Sequence, residues 1–130
     1  MKLENYFYIE GTYELKDGLY NVSGDVTLVD IIEKLPCSFG SVSGDFKCSN
    51  NMLTSLEGAP KQVGGNFYCS NNMLTSLEGA PKQVGGDFNC SSNNLTSLEG
   101  STESVAHDFF CHKNNLTSLK GFPKYVGVDI

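Results

Sequence analysis

Basic residues are scarce in this chain. Lysine and arginine together number 9 against 15 aspartates and glutamates, which gives a formal net charge of −6 at pH 7. A protein that binds a phosphate backbone needs a basic stripe on its surface. The composition therefore argues against a nucleic-acid partner and permits a basic partner without demanding one.

Long apolar runs are also missing. None approaches the roughly 18 consecutive residues of a membrane span. The opening residues, Met1 to Tyr6, lack the apolar segment of a secretion signal. We therefore expect no membrane association and a cytoplasmic location.

Cysteine spacings typical of metal sites do not occur either. The chain has 5 cysteines, an odd number, and no Cys-x-x-Cys pair. Four of them recur at one spacing, which favours a row of reduced, buried thiols over a disulfide framework. His107 and His112 lie nearby in the sequence, but the spacing does not match a zinc site. We predict no metal and no cofactor.

What the chain has in abundance is repetition. Phenylalanine recurs with a period of 21, and four other positions keep step with it. The recurring sets are Phe46, Phe67, Phe88, Phe109; Cys48, Cys69, Cys90, Cys111; Asn51, Asn72, Asn93, Asn114; Leu53, Leu74, Leu95, Leu116; and Leu56, Leu77, Leu98, Leu119. A fixed period of this length is typical of a solenoid whose successive units stack. We predict a single, mainly β domain with very little helix.

Each unit has a predictable internal order. Phe-x-Cys has the period of two expected of a strand with both side chains inward. The asparagine that follows is predicted to turn the chain and to form an internal ladder of amide hydrogen bonds. Two leucines return to the core, and Glu-Gly-Ala-Pro ends any regular structure. The glycine pairs at 64–65 and 85–86 are expected to adopt backbone conformations that a Cβ would forbid.

The segment before the repeats is predicted to cap the stack. Residues 3–15 alternate and are rich in aromatics, and Asp17-Gly18 is a hairpin turn signal before a second strand. Residues 1–21 are therefore assigned to a β cap and 22–41 to a degenerate first repeat offset by 20. Asp30 to Pro36 is predicted to form one helical turn. Four repeats occupy 42–125, and 126–130 begin another.

The register Phe67-x-Cys69-x-x-Asn72-x-Leu74-x-x-Leu77 resembles the leucine-rich repeat, with Phe and Cys in two leucine positions. The first leucine position departs from the pattern, because Gly64, Gly85 or Ala106 occupies it. The variant is also similar to short repeat proteins of tailed phages and bacteria. The resemblance implies a short, curved, right-handed solenoid with a parallel sheet on its concave face, and protein recognition rather than catalysis.

Residues flanking Phe and Cys should face outward, and we take them as the candidate binding site. Tyr68 and Phe110 are the predicted anchors, because large aromatics on a rigid surface dominate protein interfaces. The other candidates are Asp45, Asn66, Asp87 and Asp108 before the phenylalanines, Lys47 and Asn89 in the anchors' column, and His112 and Lys113 beyond the last cysteine. The acidic column is alternatively a mimic of a phosphate row. Met52 and Met73 either extend the surface or cover the turn.

These patterns lead to two functional hypotheses. The first is a non-enzymatic module that binds a protein through the concave face; the resemblance to phage repeat proteins implies a phage-encoded inhibitor of a host or defence protein. The second is an assembly protein that associates through its solenoid ends. Phe122 to Ile130 are predicted either to fold over the last unit or to pair with a second copy as a homodimer.

Overall fold

A computed structural model describes residues 2–127. This part of the chain contains one short 3-10 helix, Leu3–Asn5, and eleven strands. The strands are β1 Phe7–Lys16, β2 Leu19–Leu28, β3 Phe39–Val42, β4 Phe46–Lys47, β5 Gln62–Val63, β6 Phe67–Tyr68, β7 Gln83–Val84, β8 Phe88–Asn89, β9 Ser104–Val105, β10 Phe109–Phe110 and β11 Tyr125–Val126.

The strands stack as a β-solenoid of about five turns, which confirms the predicted fold class. Each coil contributes two strands, and each strand pairs in parallel with its counterparts about 21 residues away. The first ladder is β4-β6-β8-β10, built on the Phe-x-Cys strands, and the second is β3-β5-β7-β9-β11. The second ladder was not anticipated from the sequence.

The N-terminal hairpin covers the first coil, as predicted. β1 and β2 pair antiparallel along their whole length, and the two-residue loop Asp17-Gly18 has positive φ at both positions (52° and 78°). This is the primed turn that matches the twist of a hairpin. β2 then pairs in parallel with β3 and with β4, where Val26 lies opposite Phe46. One strand therefore starts both ladders.

Two local predictions for this region are wrong. Residues 3–5 form a 3-10 helix rather than the beginning of a strand, and Leu3 at its start is buried. Asp30 to Pro36 contain bends but no helical turn. The reason is tertiary: the Asn51 side chain accepts a hydrogen bond from the Ile32 N–H at 2.8 Å and donates one to the Asp30 carbonyl at 2.7 Å. These two bonds tie the segment to the next coil.

The core is a column of stacked rings. Phe46, Phe67 and Phe88 are fully buried, and successive ring centroids lie 5.8 and 5.1 Å apart. Phe7 of the hairpin packs against the first ring of this column at 6.4 Å. Phe109 continues it at 5.1 Å but is only half-buried. Offset aromatic pairs at such distances add about 0.5–1.5 kcal/mol each beyond the burial of their area.

The core thins in the last described coil. Cys111 and Leu116 are half-buried but still pack against the core, whereas Leu119 is 62 % exposed, so the inward position predicted for Leu119 is wrong. In the preceding coils the same columns are buried between two neighbours. The last coil has such a neighbour on one side within the described residues, and this explains the difference.

The asparagine ladder is confirmed. Asn93 donates to the carbonyls of Cys69 and Cys90 at 3.1 Å each and of Ser91 at 3.2 Å, while its side-chain oxygen accepts the Leu74 N–H at 3.0 Å. Asn72 and Asn114 make the equivalent bonds one coil before and after. Each amide thus satisfies backbone groups of two coils at a turn where the strand ladders have ended.

The glycine pairs are needed for a different reason from the one predicted. Gly64, Gly65, Gly85 and Gly86 do not have positive φ. A Cβ on Gly64 would lie 2.2 Å from the Ser43 carbonyl oxygen, and one on Gly65 would lie 2.3 Å from an Asp45 carboxylate oxygen. It is the close approach of the preceding coil that excludes a side chain here.

No helix among residues 2–127 has the length and hydropathy needed to cross a membrane.

Asn93→Asp is expected to lower the free energy of unfolding by about 3 kcal/mol. A buried carboxylate cannot donate to the three carbonyls, and their unpaired oxygens and its own charge are both costly. The matched control is Asn94→Asp, which adds the same charge on the exposed neighbour and should change stability by no more than about 0.5 kcal/mol. Urea denaturation followed by circular dichroism measures both. Equal losses in the two variants would contradict a structural role for the ladder.

Candidate functional site

Four of the predicted partner-binding residues form one continuous row. In the first ladder Lys47 pairs with Tyr68, Tyr68 with Asn89, and Asn89 with Phe110. Strands paired in this way lie about 4.8 Å apart. Because the intervening Phe and Cys side chains point into the core, the row faces outward, as the alternation predicted. We call these four residues the anchor row.

The two aromatics of the anchor row have different surroundings. Phe110 is 37 % exposed and meets the His112 ring edge-to-face at a centroid distance of 6.5 Å. Tyr68 is half-buried. Burial raises the pKa of its phenol, and the carboxylates of Asp87 and Asp45 raise it further. Tyr68 therefore remains a neutral hydroxyl, able to donate a hydrogen bond, throughout the physiological pH range.

The column before the phenylalanines has a structural role. Asp45 accepts the backbone N–H of Asn66 at 2.7 Å, Asn66 accepts that of Asp87 at 2.7 Å, and Asp87 accepts that of Asp108 at 3.0 Å. Each side chain spans the bend beside the glycine pair and binds the next coil. Asn66 can take the place of an aspartate in this column because accepting one backbone N–H requires a single side-chain oxygen.

These hydrogen bonds limit how the column could contact a partner. One oxygen of each of Asp45, Asn66 and Asp87 is committed to the neighbouring coil. The second oxygen of Asp45 lies 3.9 Å from the Lys47 ammonium, so this pair also links the column to the anchor row. A partner would meet a rigid line of oxygens rather than freely rotating carboxylates.

His112 and Lys113 lie just beyond the last cysteine, and both are exposed. Lys113 has a positive φ of 54°, which it shares with Asn50, Asn71 and Ser92 at the equivalent positions (56°, 57° and 55°). Asparagine tolerates this left-handed conformation better than other residues with a Cβ. The positive φ thus falls on the residue before each ladder asparagine. The recurring Asn-Asn pair is the sequence signal for it.

Ser92→Asn is expected to raise the free energy of unfolding by about 0.5–1 kcal/mol, because it relieves left-handed strain in a central coil. It also offers the hydrogen bond by which Asn71 Nδ2 reaches Asn50 Oδ1 at 2.8 Å one coil earlier. Ser92→Ala is the matched control and should give no gain. The urea midpoint measures both, and a gain from alanine as large as that from asparagine would refute the explanation.

A groove of about 830 Å³ runs along the second ladder and was missed by the sequence reasoning. Each coil lines it with a valine and the two residues beside that valine, and the last described coil adds Lys124. The residues beside the valines are Ser41, Gln62, Gln83, Ser104 and Tyr125 before them and Ser43, Gly64, Gly85, Ala106 and Gly127 after them. The available signal was the repeated segment Lys-Gln-Val-Gly-Gly at 61–65 and 82–86. Its strands are two residues long, which is too short for period-two alternation to be recognised.

The cysteine row offers no nucleophile. Cys48, Cys69 and Cys90 are buried, and burial raises the pKa of Cys48 and Cys90 to about 12 and that of Cys69 well above its ordinary value. A thiol in this state carries almost no thiolate at neutral pH. Within residues 2–127 no three His, Cys, Asp or Glu side chains cluster closely enough to hold a metal ion.

Raised thiol pKa values make stability fall in alkali. Unfolded thiols ionise near pH 8.5, whereas those of Cys48, Cys69 and Cys90 stay protonated in the folded state. Between about pH 9 and 12 the folded state therefore binds more protons, and its stability falls by about 1.4 kcal/mol per pH unit for each thiol. The stabilisation is fully present below about pH 8.

Urea titrations at pH 8, 9 and 10 under reducing conditions measure this loss. Cys69→Ala is the matched variant, and its stability should fall less steeply with pH than that of the wild type. An unchanged slope would contradict the thiol assignment.

No protein-family model, curated protein or solved structure matches this chain.

Proposed function

We propose that this protein is a non-enzymatic module that binds another protein through the anchor row. The observation that carries the proposal is the alignment of Lys47, Tyr68, Asn89 and Phe110 on consecutive, hydrogen-bonded strands. Interface energy concentrates in a few residues, large aromatics prominent among them, that are surrounded by contacts of little energetic effect. The row has this composition, and the ladder beneath it supplies the rigidity.

Preorganisation is the main physical advantage of such a site. In the coils of Lys47, Tyr68 and Asn89, the row residue lies between a phenylalanine and a cysteine that are both fully buried. The backbone under the row is therefore held on either side by the core. Binding then requires little ordering of the protein, and less of the interaction energy is lost as entropy. The Asp45 to Asp108 column beside the row offers hydrogen-bond acceptors at the same spacing.

The resemblance to the leucine-rich repeat supports the same function. The stacking of Phe67, Cys69, Leu74 and Leu77 in buried columns is what that register requires. Proteins with this repeat usually recognise other proteins. The similarity to short repeat proteins of tailed phages adds a narrower proposal, that the partner is a host or defence protein which this chain inhibits in the host cytoplasm.

A second candidate function is assembly through the coil ends, and one observation favours it. The last described coil exposes apolar side chains that earlier coils bury or lack: Leu119 at 62 %, Phe122 at 47 % and Tyr125 at 70 %. A second copy seated there would cover them and form the proposed homodimer. Of the segment Phe122 to Ile130, residues 128–130 lie outside the described part of the chain.

Tyr68→Ala and Phe110→Ala are each expected to weaken partner binding by more than about 1 kcal/mol, since truncating an interface anchor removes buried aromatic area. The measurement is capture from the source cell on immobilised protein, followed by titration of the captured partner. Tyr8→Ala is the matched control, an exposed tyrosine on the hairpin, and should bind like the wild type.

Tyr68→Phe removes the hydroxyl and keeps the ring, so this variant should retain most of the affinity if the ring is the anchor. Equal binding by the wild type and the Tyr68→Ala/Phe110→Ala double variant would remove the anchor row from the interface. A concentration-dependent increase in light scattering, abolished by Tyr125→Glu, would instead favour assembly.

A further inference from the structure

The groove along the second ladder has a floor made of backbone. Gly64 and Gly85 are exposed on it, and a Cβ on Gly85 would lie 2.1 Å from the Gly64 carbonyl oxygen. Coil packs directly on coil here, so no side chain can fill the groove from below. A ligand lying along the stack can therefore approach the backbone closely.

The side of the groove carries a row of amides. Gln62 Nε2 donates to Gln83 Oε1 at 3.3 Å, and both side chains are exposed. A glutamine amide has two donors and an acceptor with two lone pairs. The Gln62–Gln83 bond uses one donor of the first and part of the acceptor of the second, so the remaining donors and acceptors are available to a ligand. Amide groups of this kind complement peptide groups.

Two lysines stand next to these glutamines. Lys61 and Lys82 are exposed and stack in consecutive coils, since the Lys82 N–H donates to the Lys61 carbonyl at 2.9 Å. Within the described residues the ion pairs are Lys47–Asp45 and Lys120–Glu99, and neither involves Lys61 or Lys82. Two positive charges in adjacent coils, without a carboxylate partner in that part of the chain, repel each other and favour an anionic ligand.

We propose that this groove binds an extended, acidic peptide segment of a partner protein, lying along the stack beside Lys61 and Lys82. The inference deepens the proposed function and rests on it. Carboxylates of the segment would meet the two lysines, and its peptide groups would meet the glutamine amides. Glu103 replaces lysine in the next coil, and Lys124 stands at the same position one coil later, where it lines the groove.

Electrostatics favour a peptide over a nucleic acid in this position. The protein as a whole carries −6, and duplex DNA has about one negative charge per 1.7 Å, so the net charge of the protein repels a duplex. A segment with a few carboxylates needs only the local positive charge. This attraction acts within a Debye length of about 8 Å at physiological salt, and binding should weaken as salt is raised.

Fluorescence anisotropy with two labelled ten-residue peptides tests the proposal, one alternating Glu and Ser and the other alternating Lys and Ser. The acidic peptide should bind the full chain at least tenfold more tightly than the basic peptide. Lys61→Glu/Lys82→Glu should weaken its binding by about tenfold. The matched control is Lys16→Glu/Lys34→Glu, which makes the same change in net charge at exposed lysines away from the groove, and it should alter binding by no more than about twofold.

Three results would overturn the proposal. They are no binding of the acidic peptide at millimolar concentration, equal losses in the two double variants, and inorganic polyphosphate binding as tightly with the same lysine dependence. The last would make the groove a general polyanion site. Dependence of partner capture on Tyr68 and Phe110 is measured separately, so the groove can fail while the anchor row stands, and the reverse is equally detectable.

Discussion

Hydrogen bonding between successive coils is the constraint on which the rest of the molecule depends. From Gln62 onward the strands are only two residues long, so each coil leaves most of its backbone outside regular structure. Every buried N–H and C=O of those connections still needs a partner. The next coil supplies it, either through its backbone or through a side chain that recurs at the same position.

Two side-chain columns perform this task. The Asn72–Asn93–Asn114 ladder serves the turn after the first ladder, and the Asp45–Asn66–Asp87 column serves the bend between the two ladders. At the return turn the partner comes from the same coil, where the hydroxyls of Ser55 and Ser76 accept the N–H groups of Glu57 and Glu78. The bonds between coils form only if each coil lies directly over the last. The 21-residue spacing of the repeats and the polar columns therefore depend on each other.

This mutual dependence separates residues that are constrained from those that are free to vary. Inward columns repeat Phe, Cys and Leu, because neighbours above and below fix their size. Bend columns repeat glycine, because the preceding coil occupies the position of a Cβ. Outward positions are constrained neither by core packing nor by a neighbouring backbone; examples are Lys47, Tyr68, Asn89 and Phe110. Variation within one chain therefore marks the surface on which a function can be built without loss of the fold.

How far the sequence predicts the molecule follows from the same physics. Local residue patterns predicted four features: the repeat period, the hairpin at Asp17-Gly18, the buried Phe column and the asparagine ladder. The hairpin follows from a turn dipeptide, and the other three follow from residue types that recur in register. The helical turn at Asp30 was wrong, because Asn51 from the next coil decides that segment. The glycine pairs were expected to need unusual φ values, but steric contact with a neighbouring coil is what requires them.

By itself, the sequence determined that successive units are equivalent and which side chains they bury, since identical spacing leaves stacking as the way to cover them. Only the tertiary structure decided that each coil bends into two ladders, that the acidic column binds backbone, and that a groove lies along the second ladder. These features depend on distances between atoms of different coils, and no pattern within a single unit contains that information.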